Sequence, residues 1–340
     1  MKTNKNSLLS TSLYCFLILF FSTFLVSCEE HQSNKTGGQN SDSISASKKI
    51  TALYDNDEWE APDTASLPLN NDGNNIRYGR ELVANTALYL GPSGKVRHIS
   101  NGMNCQNCHL NAGTKLFANS FSAVYSIYPK FRARSGTIEN LDKRINDCME
   151  RSLNGKKLDS LSKEMRAMVA YINWVGKDVK KGVTPKGCSV ADLPYLTRPA
   201  DSEKGKIAFE KNCISCHGKD GQGKHNDDSL TYLYPPLWGQ HSYNTAAGMH
   251  RLSRLAGYIK SNMPYLTSSK EKPILSDEEA WDIAAYLSSK SRPIKKFNGD
   301  WPDISKKPVD HPFGPYADNF SEQQHKFGPF GEIAKSSKKN

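Results

Sequence analysis

The sequence has little apolar content: apolar side chains make up 37% of its 340 residues, and one long apolar run occurs, Leu13–Val26. A polytopic membrane protein needs several runs of about 20 apolar residues, so that class is excluded. The sequence has neither a Gly-X-Y repeat nor a sustained heptad pattern, which excludes a collagen and a coiled-coil rod. Acidic residues number 35 against 45 basic ones, giving a net charge of +10. The length favours about two globular domains, and the charge favours anionic partners such as nucleic acid, anionic lipid or small anions.

The N-terminus has the features of a bacterial lipoprotein signal. Lys2 and Lys5 precede the apolar run, which is too short for a comfortable membrane span. The run ends in Leu25-Val26-Ser27-Cys28, the pattern at which signal peptidase cleaves before a cysteine that then carries acyl chains. We therefore expect a signal peptide over 1–27, lipidation of Cys28, and an exported protein held on the periplasmic side of a membrane. An ordinary signal peptide and an uncleaved anchor are the alternatives.

Four of the eight cysteines fall into two copies of one motif, at Cys105–His109 and Cys213–His217. C-x-x-C-H is the attachment pattern of c-type haem. The two thiols reach the two vinyl groups of one haem, and the adjacent histidine lies below the iron as its proximal ligand. A zinc site needs four clustered ligands, and a thioredoxin-like site needs no histidine after its motif. The sequence therefore predicts two covalently bound haem c groups. The predicted attachment residues are Cys105, Cys108, Cys213 and Cys216, and the proximal ligands are His109 and His217.

The pattern around these motifs predicts a mainly α-helical protein with two cytochrome c-type domains in tandem. Helical periodicity covers Tyr78–Leu90, Ser162–Gly176 and Ser276–Lys290, and the last of these begins with a capping box of Ser276 and Glu279. A further helix, starting near Ser202, places Gly205, Phe209 and Cys213 on one face. The predicted divisions after the signal are a tether and irregular leading segment (28–75), the first domain (76–183), a proline-marked linker (184–199), the second domain (200–298) and a C-terminal arm (299–340).

The C-terminal arm is rich in proline and aromatic residues and has little helical periodicity. Its aromatic residues argue against full disorder of its first half. We expect an extended arm that packs over one or both domains.

The second axial ligand of each haem decides what that haem does. In the second domain the candidates are Met249, His250 and Met263. Met263 precedes a proline in a loop between helices, which is the usual arrangement for a His/Met electron-transfer haem, so it is preferred and Met249 is held in reserve.

The first domain has no Met-Pro between His109 and its last helix, and Cys148 occupies that interval. A thiolate ligand would lower the potential of the haem. A free cysteine is also unusual in an oxidising compartment unless it is bonded or used. Two alternatives remain open: Met149 is the ligand, or Cys148 forms a disulfide with Cys188.

Basic residues crowd this cysteine, eight against four acidic residues between 130 and 157. Such a cluster lowers the pKa of a thiol and collects anions. For any single member, a solvated basic surface is the simpler interpretation. The eight are Lys130, Arg132, Arg134, Lys143, Arg144, Arg151, Lys156 and Lys157.

Several segments together resemble the dihaem thiosulfate dehydrogenase family, and the likeness covers nearly all of 76–325. The segments in the first domain are Tyr78–Leu82, Cys105–Thr114, Arg132–Gly136, Arg144–Ser152 and Met165–Tyr171. Those further along are Ala247–Arg251, Asn262–Pro264 and Asp300–Asp303 through His311–Tyr316.

The resemblance implies His/Cys ligation of the first haem, by His109 and Cys148, and His/Met ligation of the second, by His217 and Met263. Some family members have a lysine beside that methionine as a switching ligand, whereas this sequence has Asn262. The activity implied is the coupling of two thiosulfates to tetrathionate, with the reverse favoured in some members. On this hypothesis Cys148 is both haem ligand and covalent sulfur acceptor, and Arg134, Arg144 and Arg151 bind the anion.

The resemblance also implies an external electron acceptor or donor, either a cytochrome or a quinone-linked protein. The main alternative is a non-catalytic dihaem electron carrier whose basic face docks an acidic partner. Two others are a tetrathionate reductase and a sulfur-carrier component related to cysteine-ligated sulfur-oxidation cytochromes. Nucleic-acid binding is not expected of an exported haem protein.

Overall fold

The computed structural model describes residues 59–227 and 230–337. The predicted signal peptide, the lipidation site at Cys28 and most of the tether lie outside these residues. Helices dominate the described part, which contains only two small antiparallel sheets of two strands each. This confirms the mainly α-helical prediction. Among the described helices, none is long and apolar enough to cross a membrane.

The first half of the described chain folds around a long N-terminal helix that begins earlier than predicted. Its helices are α1 (Asn71–Ala84), α2 (Thr86–Leu90), α3 (Leu110–Gly113), α4 (Val124–Ile127), α5 (Leu141–Arg151) and α6 (Lys163–Val175). Its strands are β1 (Lys130–Arg132) and β2 (Thr137–Glu139), paired in antiparallel fashion with Phe131 opposite Ile138.

The helix predicted over Tyr78–Leu90 is therefore two helices, and residues 71–75, expected to be irregular, are helical. The Asn70 side chain accepts a hydrogen bond from the Gly73 amide at 3.0 Å, so this Asn caps the helix rather than forming a turn. The break comes at Asn85, whose backbone is not helical (φ −123°, ψ 41°).

Helices α1 and α6 pack together at a glycine. A Cβ at Gly79 would lie 1.9 Å from the backbone oxygen of Ala167, so only glycine permits this approach. The surrounding core contains Leu82, Val83, Met165, Met168 and Tyr171, each at most 1% exposed. The helix predicted over Ser162–Gly176 is present as α6, and Ser162 caps it through the Met165 amide.

The second half repeats this construction. Its helices are α7 (Ser202–Asn212), α8 (Ile214–His217), α9 (Leu252–Asn262) and α10 (Asp277–Ser288), with strands β3 (Lys224–His225) and β4 (Tyr232–Tyr234). A Cβ at Gly205 of α7 would lie 1.8 Å from the backbone oxygen of Asp282 in α10. The predicted capping box is present, since Ser276 accepts from the Glu279 amide at 3.0 Å and Glu279 accepts from the Ser276 amide at 2.8 Å.

The C-terminal arm is only partly extended. It is irregular as far as Ser321 apart from one short turn, Ile304–Lys306, and then forms α11 (Glu322–Phe327) and α12 (Phe330–Ser336). These two helices were not predicted. They form because Ser321 caps α11 through the Gln324 amide, and because Phe330 and Ile333, at most 2% exposed, insert into the second core.

Hydrogen bonds join the two halves within one compact unit. The Tyr258 hydroxyl of α9 donates to the backbone oxygen of Asn107, inside the first haem motif, at 2.7 Å. The Asn262 amide, at the end of α9, donates to the backbone oxygen of Phe117 at 3.0 Å. The helix that leads into Met263 is thus held against the first haem-binding region.

Candidate active site

A cavity of about 300 Å³ lies in the first half and brings the first motif together with Cys148. Cys105, Cys108 and His109 line one side, on and beside a short helical turn. Helix α5 supplies Arg144, Cys148 and Met149 from the other side. The spacing of four places Arg144 and Cys148 on one face of α5, one turn apart. The remaining walls are mostly apolar, as is usual for sites that hold a large planar group.

A backbone contact fixes the orientation of His109. Its Nδ1 lies 2.5 Å from the backbone oxygen of Asn119, and this pairing makes Nδ1 the protonated nitrogen. The other ring nitrogen, Nε2, is then left as a lone-pair donor, the form in which histidine ligates metals. The side-chain amide of Asn119 donates to the backbone oxygen of Cys108 at 3.2 Å, so the same residue also holds the motif.

Cys148 differs electrostatically from the other thiols of the cavity. Burial disfavours its thiolate, but the charge of Arg144 and the ring of His109, which it faces, outweigh burial and lower the pKa of Cys148 to about 7. Burial raises the pKa of Cys105 to about 11 and that of Cys108 to about 12. Burial also raises the pKa of Cys188. Of these four thiols, Cys148 alone is biased towards the thiolate.

The structure bears on the two alternatives for Cys148. Cys148 and Cys188 both line the cavity, and each is a free thiol rather than half of a disulfide. Met149 is 1% exposed and belongs to the apolar core. Cys148 is half-buried and faces His109.

The three arginines predicted to bind the anion lie in different places. Arg144 lines the cavity, and attraction to Cys148 raises the pKa of its guanidinium, so it stays charged. Arg151 instead forms a bidentate ion pair with Asp300, in which Nη1 donates to Oδ2 at 2.6 Å and Nη2 donates to Oδ1 at 2.7 Å. Its guanidinium also lies 3.8 Å from the centroid of the Phe297 ring. It is 5% exposed and acts as a structural link to the C-terminal arm.

Arg134 lies behind the cavity rather than in its wall. Its guanidinium approaches the ring of Trp301 at 5.6 Å and the backbone oxygen of Ala246 at 3.4 Å. Burial, reinforced by the charges of Arg151 and Arg144, lowers the pKa of Arg134 to about 10. The position of Arg134 shows that a cluster of basic residues in the sequence does not reveal which of those residues line the same cavity.

Arg132 and Tyr128 also line the cavity. From the sequence, Arg132 was named only as a member of the basic cluster, and Tyr128 was not named. Arg132 is the last residue of β1 and lines the cavity that Arg144 also lines. Burial raises the pKa of Tyr128 against the opposing effect of both arginines. The only sequence signal for Arg132 was its membership of the basic cluster near Cys148.

The second motif has a matching second set of donors. His217 Nδ1 lies 2.9 Å from the backbone oxygen of Pro235, which leaves Nε2 as the lone-pair donor. Burial lowers the pKa of His217, with the Pro235 oxygen opposing, so the ring is neutral. Cys213 and Met263 both pack against the second core. The reserve candidate, Met249, is 9% exposed, and its sulfur lies 3.8 Å from the side-chain amide of Asn119 of the first half.

The chain matches two protein families, one in each half. The family described as "SoxA/TsdA, cytochrome c domain" matches residues 95–180, and the family "Cytochrome c" matches residues 202–291. The thiosulfate dehydrogenase of Psychrobacter arcticus is 38% identical over 243 residues, 71% of this chain and 71% of that protein. That of Allochromatium vinosum is 37% identical over 237 residues, 68% of this chain and 84% of that protein.

This chain belongs to the thiosulfate dehydrogenase family. The family consists of oxidoreductases that act on sulfur compounds. Among solved structures, the thiosulfate dehydrogenase TsdBA of Marichromatium purpuratum matches with a TM-score of 0.65 and 28% identity, over 76% of this chain. The chain spans about half of that structure, 53% of its length.

Family membership confirms two cytochrome c domains in tandem, each with one covalently bound haem c. The donor sets fit that cofactor. In each half, two thiols precede a histidine whose Nδ1 is paired with a backbone oxygen. In the first half, the Cys148 thiol faces that histidine.

Proposed function

We propose that this protein couples two thiosulfate ions to form tetrathionate. The observation that supports this proposal most directly is the position of Cys148. Its thiol, whose pKa is lowered, lies beside the guanidinium of Arg144 in the cavity of the first haem motif. The relatives described above are named thiosulfate dehydrogenases. The proposed activity of this chain rests on its own residues together with that sequence similarity.

The residues that would hold the haems follow from the two donor sets. Cys105 and Cys108 would attach the first haem, and His109 and Cys148 would ligate its iron. Cys213, Cys216, His217 and Met263 serve the second. When bound, the two haems supply two one-electron acceptors, which matches the two electrons that joining two thiosulfates releases.

Thiosulfate is a small dianion, and its binding requires cations in a partly desolvated site. Arg144 and Arg132 line the cavity and present planar guanidinium groups, which suit sulfonate oxygens. Because Arg144 also lies close to Cys148, a sulfonate held by its guanidinium directs the outer sulfur of thiosulfate towards the thiolate.

The chemistry at Cys148 balances in two steps. First, the thiolate and the outer sulfur of one thiosulfate form an S–S bond, giving a cysteinyl S-thiosulfonate and releasing two electrons. Second, the outer sulfur of another thiosulfate attacks the sulfur bonded to Cys148, which forms tetrathionate and returns the thiolate. No proton is consumed or released when the thiol is already ionised, so the lowered pKa of Cys148 favours the first step.

Tetrathionate reduction is the same pair of steps run in reverse, and the haem potentials decide the direction. A pure electron carrier also needs the haem cavity, but it does not need a thiol of lowered pKa beside the guanidinium of Arg144. We further propose that the protein is exported, that Cys28 carries a lipid anchor, and that the second haem exchanges electrons with an external redox protein.

The test replaces Cys148 by Ser in the haem-loaded protein, with Cys188→Ser as the matched control from the same cavity wall. Thiosulfate-dependent reduction of a dye should fall by about 10³-fold or more in Cys148→Ser. The axial-ligand spectrum of one haem should change as well. Cys188→Ser should keep most of its activity and both spectra. Thiosulfate oxidation by Cys148→Ser at the wild-type rate would refute the mechanism.

A further inference from the structure

Three buried side chains at the edge of the second core hold four polar atoms that have no hydrogen-bond partner among the described residues. They are Tyr243 Oη, His250 Nδ1, and Nε and Nη1 of Arg292. The side chains are 6%, 8% and 8% exposed, respectively. Leaving such a polar atom buried and unpaired costs free energy, and an unpaired charged group costs more. Four in one place indicate a missing acceptor.

The three side chains form one cluster. The Arg292 guanidinium lies 4.2 Å from the centroid of the Tyr243 ring, and the ring centroids of Tyr243 and His250 are 6.4 Å apart. One end of the guanidinium is fixed, because Nη2 donates to the backbone oxygen of Leu287 at 2.8 Å. The other polar edge of the guanidinium, formed by Nε and Nη1, has no hydrogen-bond partner among the described residues. Phe313 of the C-terminal arm stacks on His250 at 5.8 Å and limits its movement.

The cluster lies between the two haem-binding regions. Tyr243 and Met249 belong to the second core, and Cys108 of the first motif packs against that core. Cys108 is also near enough to Tyr243 to affect it electrostatically. The groups facing this place include a guanidinium and a hydroxyl donor, a set that suits an anion.

We propose that Arg292, Tyr243 and His250 together receive a haem propionate. Each haem c brings two carboxylates into the protein, and a carboxylate offers about four acceptor sites, enough for all four unpaired atoms. A guanidinium beside a phenol is a suitable receptor, because hydrogen bonds from a charged donor to a carboxylate are among the stronger ones. The inference depends on the haem content of the protein and not on its reaction with thiosulfate.

The proposal has a consequence for the reduction potential. A propionate that loses its cation keeps an uncompensated negative charge near the iron, which stabilises the ferric form and lowers the potential. Replacing Arg292 by Met should therefore lower the midpoint potential of one haem. We expect at least about a tenfold change in the reduction equilibrium, which is 59 mV for a one-electron couple.

The experiment is a spectroscopically monitored redox titration of the dihaem protein and four variants. Arg292→Lys keeps the charge but loses the planar edge, and Tyr243→Phe loses only a hydroxyl. Arg166→Met, at an exposed site on α6, is the control for the loss of one positive charge. Arg292→Met, Arg292→Lys and Tyr243→Phe should all lower the potential of the same haem, whereas Arg166→Met should leave both potentials near wild type.

The haem that responds is the one whose propionate occupies the cluster, which distinguishes the two sources. If Arg292→Met does not retain haem, Arg292→Lys and Tyr243→Phe decide the matter. Wild-type potentials in both of these variants would overturn the proposal, since water or another small anion then fills the cluster. A shift in Arg292→Met alone would also overturn it, because that result requires only the loss of a distant charge.

Discussion

Asp310 of the C-terminal arm holds the start of α9, and its removal should destabilise the protein strongly. Its carboxylate is 1% exposed and accepts hydrogen bonds from Arg251 Nε at 2.8 Å, the Ser253 amide at 3.0 Å and the Ser253 hydroxyl at 2.6 Å. Arg251 occupies the N-cap position of α9 and makes no side-chain cap of its own. A carboxylate 57 residues beyond Ser253 therefore caps this helix.

The magnitude follows from what Asp310→Ala removes. It leaves the Arg251 guanidinium without its buried partner, a change that costs about 3–5 kcal/mol in comparable ion pairs. The lost cap accounts for about 1 kcal/mol of this, because helix caps and the helix dipole act on the same contacts. We therefore expect Asp310→Ala to lower the free energy of unfolding by about 3–5 kcal/mol. Asp310→Asn keeps the shape and one acceptor, so it should cost about 1–3 kcal/mol.

The assay is denaturant unfolding of the haem-loaded protein at neutral pH. The matched control is Asp192→Ala, because Asp192 pairs with Arg254 of the same helix at 3.3 Å but its side chain is 91% exposed. That exposed pair should contribute less than about 1 kcal/mol. If Asp310→Ala costs no more than Asp192→Ala, the argument for a buried cap is wrong.

The same carboxylate predicts a pH dependence. Burial opposes its ionisation, but Arg251 and Ser253 outweigh burial and hold the pKa of Asp310 below its ordinary value. A group with a lowered pKa stabilises the folded state above its unfolded-state pKa, and this stabilisation is lost as the pH falls through the folded-state pKa. The stability difference between wild type and Asp310→Asn should therefore shrink on acidification below the ordinary aspartate pKa.

Two further predictions concern the helix crossing and the arginines. Gly205→Ala should lower the free energy of unfolding by about 2 kcal/mol or more, because the added Cβ would lie 1.8 Å from the backbone oxygen of Asp282. The cost of this clash exceeds the gain in helix propensity, which is about 1 kcal/mol. Unchanged stability towards denaturant would contradict the prediction. Arg144 lines the cavity, so Arg144→Met should raise KM for thiosulfate about tenfold or more with little effect on stability. Arg151 pairs with Asp300, so Arg151→Met should lower the free energy of unfolding by about 3–5 kcal/mol and leave KM near wild type. Steady-state kinetics and unfolding measured on both variants check this, and the reverse division would contradict the assignment.

Features that depend on neighbouring residues could be predicted from the sequence. The capping box of Ser276 and Glu279 and the four-residue spacing of Gly205 and Phe209 are local patterns, and both are present in the structure. The helix start at Asn71 was missed, because an Asn-Asn-Asp-Gly run is typical of turns as well as of caps. The two C-terminal helices were missed for a similar reason, since Gly328 and Pro329 separate segments too short to show a period.

Features that depend on distant pairs could not be predicted in this way. Arg151 has the same local sequence signal as Arg144, yet its partner is Asp300, 149 residues away. Whether an arginine faces the cavity or an aspartate of the arm is set by tertiary packing. The sequence could predict that cations gather near Cys148, but only the fold separates those that can bind an anion from those that hold the chain together.

Helix α9 connects these observations. It begins at Arg251 and Asp310, where the C-terminal arm caps it, and it ends at Met263, the proposed ligand of the second haem. Between these ends, Tyr258 donates to the backbone of Asn107 within the first haem motif. The place of Met263 is thus determined jointly by the arm, the second core and the first motif. The proposed reaction releases two electrons to two one-electron acceptors. A single helix that is bonded at one face to the first motif and ends at the proposed second ligand would hold those acceptors at a fixed separation.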